Sequence, residues 1–330
     1  MFRHRRTIHG REYEYLEHSF RIGPKVRKVS FYLPRRQTFS VNEFLALNKK
    51  AVERVAKERV AYLSQNVTCA KFFTYGNQLQ FIEHARVLYS IFYNKLPKAE
   101  RERIKDEFLR SFLVNSMAME GGTISYDIAK AIDENKRFNP KGINELDIPL
   151  YKQLRQAYRD LEKMRLRYPR QLQTLHKTIY QGIYPFAGEF RTNDVTFGDL
   201  DKLAITARPG HIRTGYQRAL KAYAATNGKR FDFERVITFH QAYQGVHGFE
   251  DGNSRLGRLI MAEQFMRQGY PPPLIKGTQS RAYRTALVTA INDKNTTPLL
   301  KLCYAAYKRT VNKFWLPLLE TSIKQNFTKM

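Results

Sequence analysis

Between residues 41 and 324, apolar side chains recur every three or four positions, the spacing of one stripe along an α-helix. The runs cover 41–65, 78–93, 98–120, 149–165, 170–182, 213–225, 232–244, 254–268, 281–293 and 297–324. A chain built this way has to bury helix stripes against one another, so a mainly α fold is expected. Two places break the pattern. "EFRTNDVTFGDLDKLAITARPG" mixes short β-like pieces with Gly, Asp and Pro, which predicts a small hairpin inserted between helices. The first 40 residues alternate instead. "EYEYLEHSFRI" puts Leu16, Phe20 and Ile22 on one face, and "VRKVSFYL" answers with Val29, Phe31 and Leu33. Gly23-Pro24-Lys25 supplies the turn of a basic β-hairpin, which should pack on the rest of the chain because a lone hairpin is marginal in water. Ser40 stands where it can cap the first helix, with Glu43 three residues on. Three segments are therefore expected: the hairpin over 1–40, a helical region over 41–99, and a larger helical domain over 100–330.

Composition bounds the partners. At 42% hydrophobic, with 22 Phe and 20 Tyr in 330 residues, the chain can fill a large core, which excludes a disordered protein. Its 57 Lys and Arg against 30 Asp and Glu leave a net charge of +27, a surface that attracts nucleic acid, nucleotide phosphates, acidic proteins or anionic lipid. The first 40 residues alone hold ten Lys/Arg against three Glu. Tyr13, Tyr15, Phe20 and Phe31 there offer stacking surfaces, although hairpin aromatics also serve packing, and a targeting or packing role is expected. Cys69 and Cys303 provide no disulfide framework or metal spacing. "MFRHRRTIHGREYEY" lacks the apolar region of a signal peptide, and no run approaches the roughly 20 apolar residues of a membrane span. A cytoplasmic protein without membrane contact is expected; a homo-oligomer is compatible with the sequence but not specified by it.

The densest chemistry is in residues 247–258, "HGFEDGNSRLGR". "HGFEDGN" is too rich in Gly, Asp and Asn for helix, so it is a loop feeding the N-terminus of the helix that "SRLGRLIMAEQFMRQG" predicts. Unpaired N–H groups and the positive end of the dipole then meet at one point, which suits phosphate. Gly252 allows close backbone approach. Arg255 and Arg258 share one face of the first turn, where cations oppose the dipole unless a multiply charged anion lies between them. Glu250 and Asp251 supply hard oxygen ligands for Mg²⁺ on a nucleotide, and His247 can take a proton near neutral pH. Phosphate cradle, metal ligand and base together point to phosphoryl or nucleotidyl transfer.

That stretch resembles the signature of the Fic family, H-x-F-x-[D/E]-G-N-x-R-x-x-R, at every fixed position: His247, Phe249, Asp251, Gly252, Asn253, Arg255 and Arg258. Gly248 replaces the usual Pro, which is expected to loosen the loop, and Ser254 replaces the usual Gly while keeping its N–H. The resemblance implies a helical domain that transfers AMP from ATP to a Ser, Thr or Tyr hydroxyl of a target protein. His247 would deprotonate the hydroxyl and Asp251 would hold Mg²⁺. Gly252, Asn253 and Ser254 would present N–H and amide groups to the anion, Arg255 would grip the α/β-phosphates and Arg258 the γ-phosphate. Phe249 would anchor the loop in the core. "LHKTIYQGIYPFAGEFRTNDVTF" resembles the family's approach to its flap, implying a target-binding hairpin at Val195, Thr196 and Phe197. Tyr283 is a candidate for adenine contact, against the alternative of a core tyrosine.

A second carboxylate joins this picture. In "EFLRSFLVNSMAMEGG", Leu109, Phe112, Leu113, Ser116 and Glu120 share a helix face, so Glu120 should be buried and need a cation before Gly121-Gly122 ends the helix. The alternative is that the stripe runs out and Glu120 reaches water. "SMAMEG" resembles the family's inhibitory motif, [S/T]-x-x-x-E-[G/N], on a helix of about 104–121. The resemblance implies a Glu120–Arg258 pair supported by Ser116 that restrains the enzyme, and a Glu120 that also aligns water for removing AMP. Two other readings stand beside this one: transfer of phosphate rather than AMP on the same fold, and a basic nucleic-acid-binding protein with a regulatory nucleotide site.

Overall fold

Alternation at the N-terminus builds three strands rather than two. In the computed structural model, which describes residues 2–22, 25–33, 41–74, 77–94, 96–199 and 202–326, β1 (Phe2–Ile8) pairs antiparallel with β2 (Arg11–Ile22), and β2 with β3 (Lys25–Leu33). The Arg-rich β1 gave no clear apolar pattern. What fixes it is a two-residue turn, His9-Gly10, whose φ angles of 49° and 73° have the sign that joins twisted strands without splaying them. Gly23, Pro24 and Ser40, expected to form the turn and the cap, lie outside the described residues.

One face of this sheet carries Ile22, Val29 and Leu33, all buried, and contacts α1 (Val41–Asn66) through both β2 and β3. Ala51, Val52, Val55 and Ala56 form the buried stripe of α1. These elements belong to a unit of Met1–Ile104, Gly269–Pro271 and Val311–Met330, with α2 (Lys71–Thr74), α3 (Gln78–Tyr93) and α13 (Leu316–Asn326). At its centre Glu83 is fully buried, accepting from Arg59 Nε at 2.5 Å and Tyr270 Oη at 2.7 Å. Burial alone would raise this carboxyl, but the Arg59 and Arg86 guanidiniums outweigh it and hold it below the usual carboxylate range.

The second unit is Lys105–Gln268 with Pro272–Thr310. It takes in the larger part of α4 (Lys98–Ala118), followed by α5 (Tyr126–Asp133), α6 (Asp147–Lys163) and α7 (Pro169–Tyr180). A two-stranded hairpin, β4 (Gly198–Asp199) with β5 (Lys202–Leu203), precedes α8 (Ile212–Ala225), α9 (Asp232–Val246), α10 (Asn253–Arg267), α11 (Ser280–Asn292) and α12 (Thr297–Thr310). α10 is buried around most of its circumference, with Leu256, Leu259, Ile260, Met261, Ala262 and Phe265 supplying the apolar part, and α9 and α6 pack on it.

Every run with helical spacing is helical, and the short α2 and α5 lie outside those runs. α5 went unseen because eight residues are too few to show a stripe; its start is set by Ser125, whose Oγ accepts from Ile128 N–H. The run 297–324 is two helices, α12 and α13, joined by a π turn at Val311–Trp315. Asp133 at the end of α5 accepts from Arg110 and Arg155 at 2.8 Å each and from Tyr151 Oη at 3.0 Å, tying α4, α5 and α6 together. Among the described residues no helix is long and apolar enough to cross a membrane.

Candidate active site

The loop between α9 and α10 is fixed by the Asn253 side chain and by residues of neighbouring helices. α9 ends at His247 in the left-handed region, φ 48°, and α10 begins after Gly252, φ 79°. A Cβ on Gly252 would stand 2.2 Å from the Tyr180 ring, so no side chain fits there. The Asn253 side chain clamps the loop, accepting from Phe249 N–H at 3.0 Å and donating to the Phe249 carbonyl at 2.7 Å. One of its two amide N–H donors is thus used inside the loop, a clamping role that the family resemblance did not imply. Phe249 is fully buried and lies flat on His176, centroids 4.0 Å apart. His176 Nδ1 accepts from Gly188 N–H, so its proton is on Nε2, which donates to the Asp251 carbonyl at 3.0 Å. Burial pushes this imidazole down to about 4 and keeps it neutral.

Gly248 does not loosen the loop. Its N–H donates to Tyr216 Oη at 2.8 Å, and a Cβ there would meet the Tyr216 ring at 2.5 Å and Ile212 at 2.6 Å. Tyr216 fills the space a proline ring would take and uses the donor a proline would lack.

At the start of α10 the N–H groups of Asn253, Ser254 and Arg255 have no acceptor within the helix, since Leu256 N–H is the first to close back, onto the Gly252 carbonyl at 3.0 Å. Arg255 is mostly buried, with Nη1 3.2 Å from Tyr180 Oη and 3.6 Å from Asp251 Oδ2, and its Nε is buried without a hydrogen-bond partner. Asp251 is half-exposed, with Oδ1 accepting from Gly252 N–H at 2.6 Å. Among the described residues there is no cluster of three His, Cys, Asp or Glu for an all-protein metal cage. The exposed Asp251 carboxylate, beside an orphaned guanidinium N–H and a helix N-terminus, instead fits Mg²⁺ shared between protein, water and phosphate oxygens.

Arg258, three residues further along α10, is only 2% exposed. Its Nε donates to Ser116 Oγ at 2.9 Å, Nη2 to the Ser116 carbonyl at 2.8 Å, and Nη1 to Glu120 Oε1 at 3.0 Å. Ser116 therefore supplies two of the three acceptors. Glu120 is placed differently from the helical wheel: α4 ends at Ala118, Gly122 N–H closes on the Met117 carbonyl, and Gly121 takes φ 84°. Glu120 thus rides in the closing turn, its side chain 29% exposed, and the buried member of the pair is the arginine. Tyr283 takes the core position that stood as the alternative to adenine contact. It is buried, with its ring centroid 5.8 Å from the Arg258 guanidinium carbon and its hydroxyl 2.5 Å from His240 Nε2, so it braces the arginine rather than facing a nucleobase.

His247 is 6% exposed, and its Nδ1 has no hydrogen-bond partner of normal geometry. Burial, with a further push from the Arg191 guanidinium, brings this imidazole down to about 4, against partial offsets from the Gln244 carbonyl and Asp251. It is neutral at physiological pH. Phe197 stacks on it at 4.4 Å with planes 16° apart. The hairpin bearing Phe197 pairs a step later than the sequence suggested. Phe197 accepts through its carbonyl from Ala204 N–H, β4 and β5 follow, and Val195 and Thr196 form the lead-in, with the Val195 carbonyl bonded to Thr206 Oγ1. Lys202–Asp293 at 2.6 Å and two bonds at Asn292, which donates to the Leu203 carbonyl and accepts from Ile205 N–H, fasten the hairpin to α11. Arg191 ties its base to the loop: buried, it donates to the carbonyls of His247, Val246, Asn193 and Ala207 and to Thr206 Oγ1. Arg191 lies inside the segment "LHKTIYQGIYPFAGEFRTNDVTF", and nothing in its neighbours there announces a guanidinium paired almost wholly with carbonyls.

The geometry and the comparisons converge on a class. Residues 167–265 match the model of the Fic/DOC family, and the chain carries a Fic domain. Its curated relatives include the protein adenylyltransferase Fic of Drosophila ananassae, 25% identical over 224 residues that make up 66% of this chain and 44% of that one. The corresponding protein of Drosophila melanogaster is 25% identical over 218 residues, 64% of this chain and 43% of that one. The chain thus spans less than half the length of these relatives. Among solved structures, Fic-1 from C. elegans superposes with a TM-score of 0.60 at 19% identity, covering 85% of this chain and 84% of that one. A Fic family protein from Desulfovibrio desulfuricans G20 superposes at 0.59 and 17%, covering 87% and 77%. These likenesses establish the fold.

Proposed function

We propose that this chain is a protein adenylyltransferase that moves AMP from ATP onto a Ser, Thr or Tyr hydroxyl of a target protein, and that its resting form is restrained by Glu120. The observation that carries the reading is a single loop with a neutral, buried imidazole at one end and, on the helix it feeds, an arginine engaged by Ser116 and Glu120. In the transfer, the target hydroxyl oxygen forms a bond to the α-phosphorus, the bond from that phosphorus to the bridging oxygen breaks, and pyrophosphate leaves. The hydroxyl proton goes to His247, which is free to accept it because burial keeps it neutral. The N–H groups at the start of α10 and the Arg255 guanidinium hold the phosphates, and Asp251 would hold Mg²⁺. When bound, that ion neutralises charge building on the phosphate oxygens. Arg258 reaches the γ-phosphate only after leaving Glu120, which is why the pair acts as a restraint. The hairpin at Val195–Phe197 would position the target segment over His247.

The test is incubation of wild type, Glu120→Gly and His247→Ala with ATP in cell extract, followed by mass spectrometry of the modified proteins. AMP adducts, more abundant with Glu120→Gly and absent with His247→Ala, are expected. Phosphate adducts would move the reading to phosphotransfer, and no adduct with Glu120→Gly would end it.

A further inference from the structure

The N-terminal sheet has two unlike faces. Direct pairing places cross-strand partners on the same side, so the register separates them cleanly. One side holds Ile22, Val29 and Leu33 and is buried. The other holds His4, Arg6, Ile8, Arg11, Tyr13, Tyr15, Glu17, Arg21, Val26, Lys28 and Tyr32, and is open to solvent over most of its area.

Three observations on that open face need a common explanation. Ile8, Val26 and Tyr32 are 39%, 64% and 50% exposed, and they are three of the seven exposed large apolar or aromatic residues among those described. So many on one small sheet face mark it as a contact surface. Next, a row of rings crosses all three strands, His4, Tyr15 and Tyr32, with Tyr13 in the adjacent row. Tyr32 meets Tyr13 at 6.0 Å and 58° and Tyr15 at 5.8 Å and 61°, so the rings meet tilted or edge-on and are not stacked face to face. Finally, Arg6, Arg11, Arg21 and Lys28 surround the rings against one carboxylate, a net +3 with His4 neutral. That carboxylate, Glu17, is buried at 6% and bound by Arg6, by Lys28 at 2.6 Å and by Ser30 Oγ at 2.9 Å. It holds two cations in place without cancelling both, and Arg6 lies over the Tyr15 ring at 4.9 Å.

Rings on an open antiparallel sheet within a cationic border match a ligand that is a polyanion and carries flat apolar groups at intervals. We propose that this face binds single-stranded nucleic acid, with bases stacked on Tyr13, Tyr15 and Tyr32 and phosphates beside Arg6, Arg11, Arg21 and Lys28. An acidic polypeptide or an anionic membrane answers the charge but leaves the row of tyrosines unexplained. Binding at this face does not depend on the adenylyltransferase reading.

The test is fluorescence anisotropy of a labelled single-stranded dT oligonucleotide of about twelve nucleotides, within the footprint range of such surfaces. The full chain is titrated alongside duplex DNA of equal length, heparin, and vesicles containing phosphatidylserine. Tyr32→Ala is the main variant, chosen because half of the residue is already exposed and its loss should leave the melting temperature unchanged. Tyr15→Ala and Tyr32→Phe accompany it, and Arg255→Ala separates this face from the candidate active site. Each Tyr→Ala change should weaken oligonucleotide binding about five- to 150-fold, while Tyr32→Phe and Arg255→Ala leave it unchanged. Affinity should fall steeply with salt. Heparin, duplex or vesicles binding as tightly as the single strand would reduce the face to a general anion surface and overturn the proposal. So would Tyr→Ala variants that bind normally, loss of binding with Arg255→Ala, or no binding at about 100 μM protein, the weak end of non-specific affinity.

Discussion

Replacing Glu120 by Gly should tighten ATP binding by an amount the geometry sets. The Arg258 Nη1–Glu120 Oε1 contact is 3.0 Å long, and it joins a guanidinium 2% exposed to a carboxylate 29% exposed. A charge-assisted hydrogen bond contributes about 1.5–3 kcal/mol, and partial exposure of the acid places this one near the lower end. ATP must end this contact to reach Arg258, so its removal should lower the dissociation constant by about 1.5 kcal/mol, roughly tenfold. Glu120→Gln keeps an acceptor but loses the charge and should fall between the two. Ser116 holds the other two guanidinium nitrogens, so Arg258 should stay folded into place in either variant, with a melting temperature lowered by only a few degrees. Isothermal titration of MgATP into the three proteins measures the difference directly. Affinities equal within twofold would show that the pair does not compete with the nucleotide, and the restraint argument would fail with it.

Gly252→Ala should destabilise the fold by about 2–4 kcal/mol and abolish the heat of ATP binding, because its Cβ enters the Tyr180 ring at 2.2 Å and its φ of 79° disfavours a side chain. A urea midpoint equal to wild type would contradict this. His176, His240 and His247 are held neutral by burial, with pKa values brought to about 4, 3 and 4 from an ordinary 6.5. Since the unfolded chain takes up these protons first, their contribution is whole above pH 6.5 and is lost as pH falls towards and through 4, on the order of 3 kcal/mol for each of His176 and His247. Urea midpoints measured from pH 8 to pH 4.5 should be level at first and then fall, and a level curve throughout would refute the assignment. Arg191→Lys cannot meet five acceptors with one ammonium, so AMP transfer should drop about tenfold or more while ATP affinity changes little. Equal loss of both would show that Arg191 only stabilises the loop.

The loop chemistry was legible because it is local. A Gly-rich turn opening a helix with arginines three apart predicts an anion site whatever surrounds it, and the structure places His247, Gly252, Arg255 and Arg258 along that one junction. Asn253, Tyr283 and Gly248 were read less well, for a shared reason. The use of each is set by a partner that spacing does not reveal: the Phe249 backbone for Asn253, Arg258 and His240 for Tyr283, and Tyr216 for Gly248. Strand β1 was missed because the turn that makes it, His9-Gly10, works through backbone torsion and not through an apolar pattern.

Sequence alone determined the helical class, the position of the loop and the residue types brought to it, since periodicity and turn chemistry act over a few neighbouring residues. The family resemblance implied the Glu120–Arg258 pair, but only the tertiary structure decided that Ser116 takes two of the three guanidinium bonds across 142 positions, that Phe197 stacks on His247, and that burial keeps that imidazole neutral. Long-range contacts and desolvation depend on which surfaces meet, and no stretch of chain carries that information by itself.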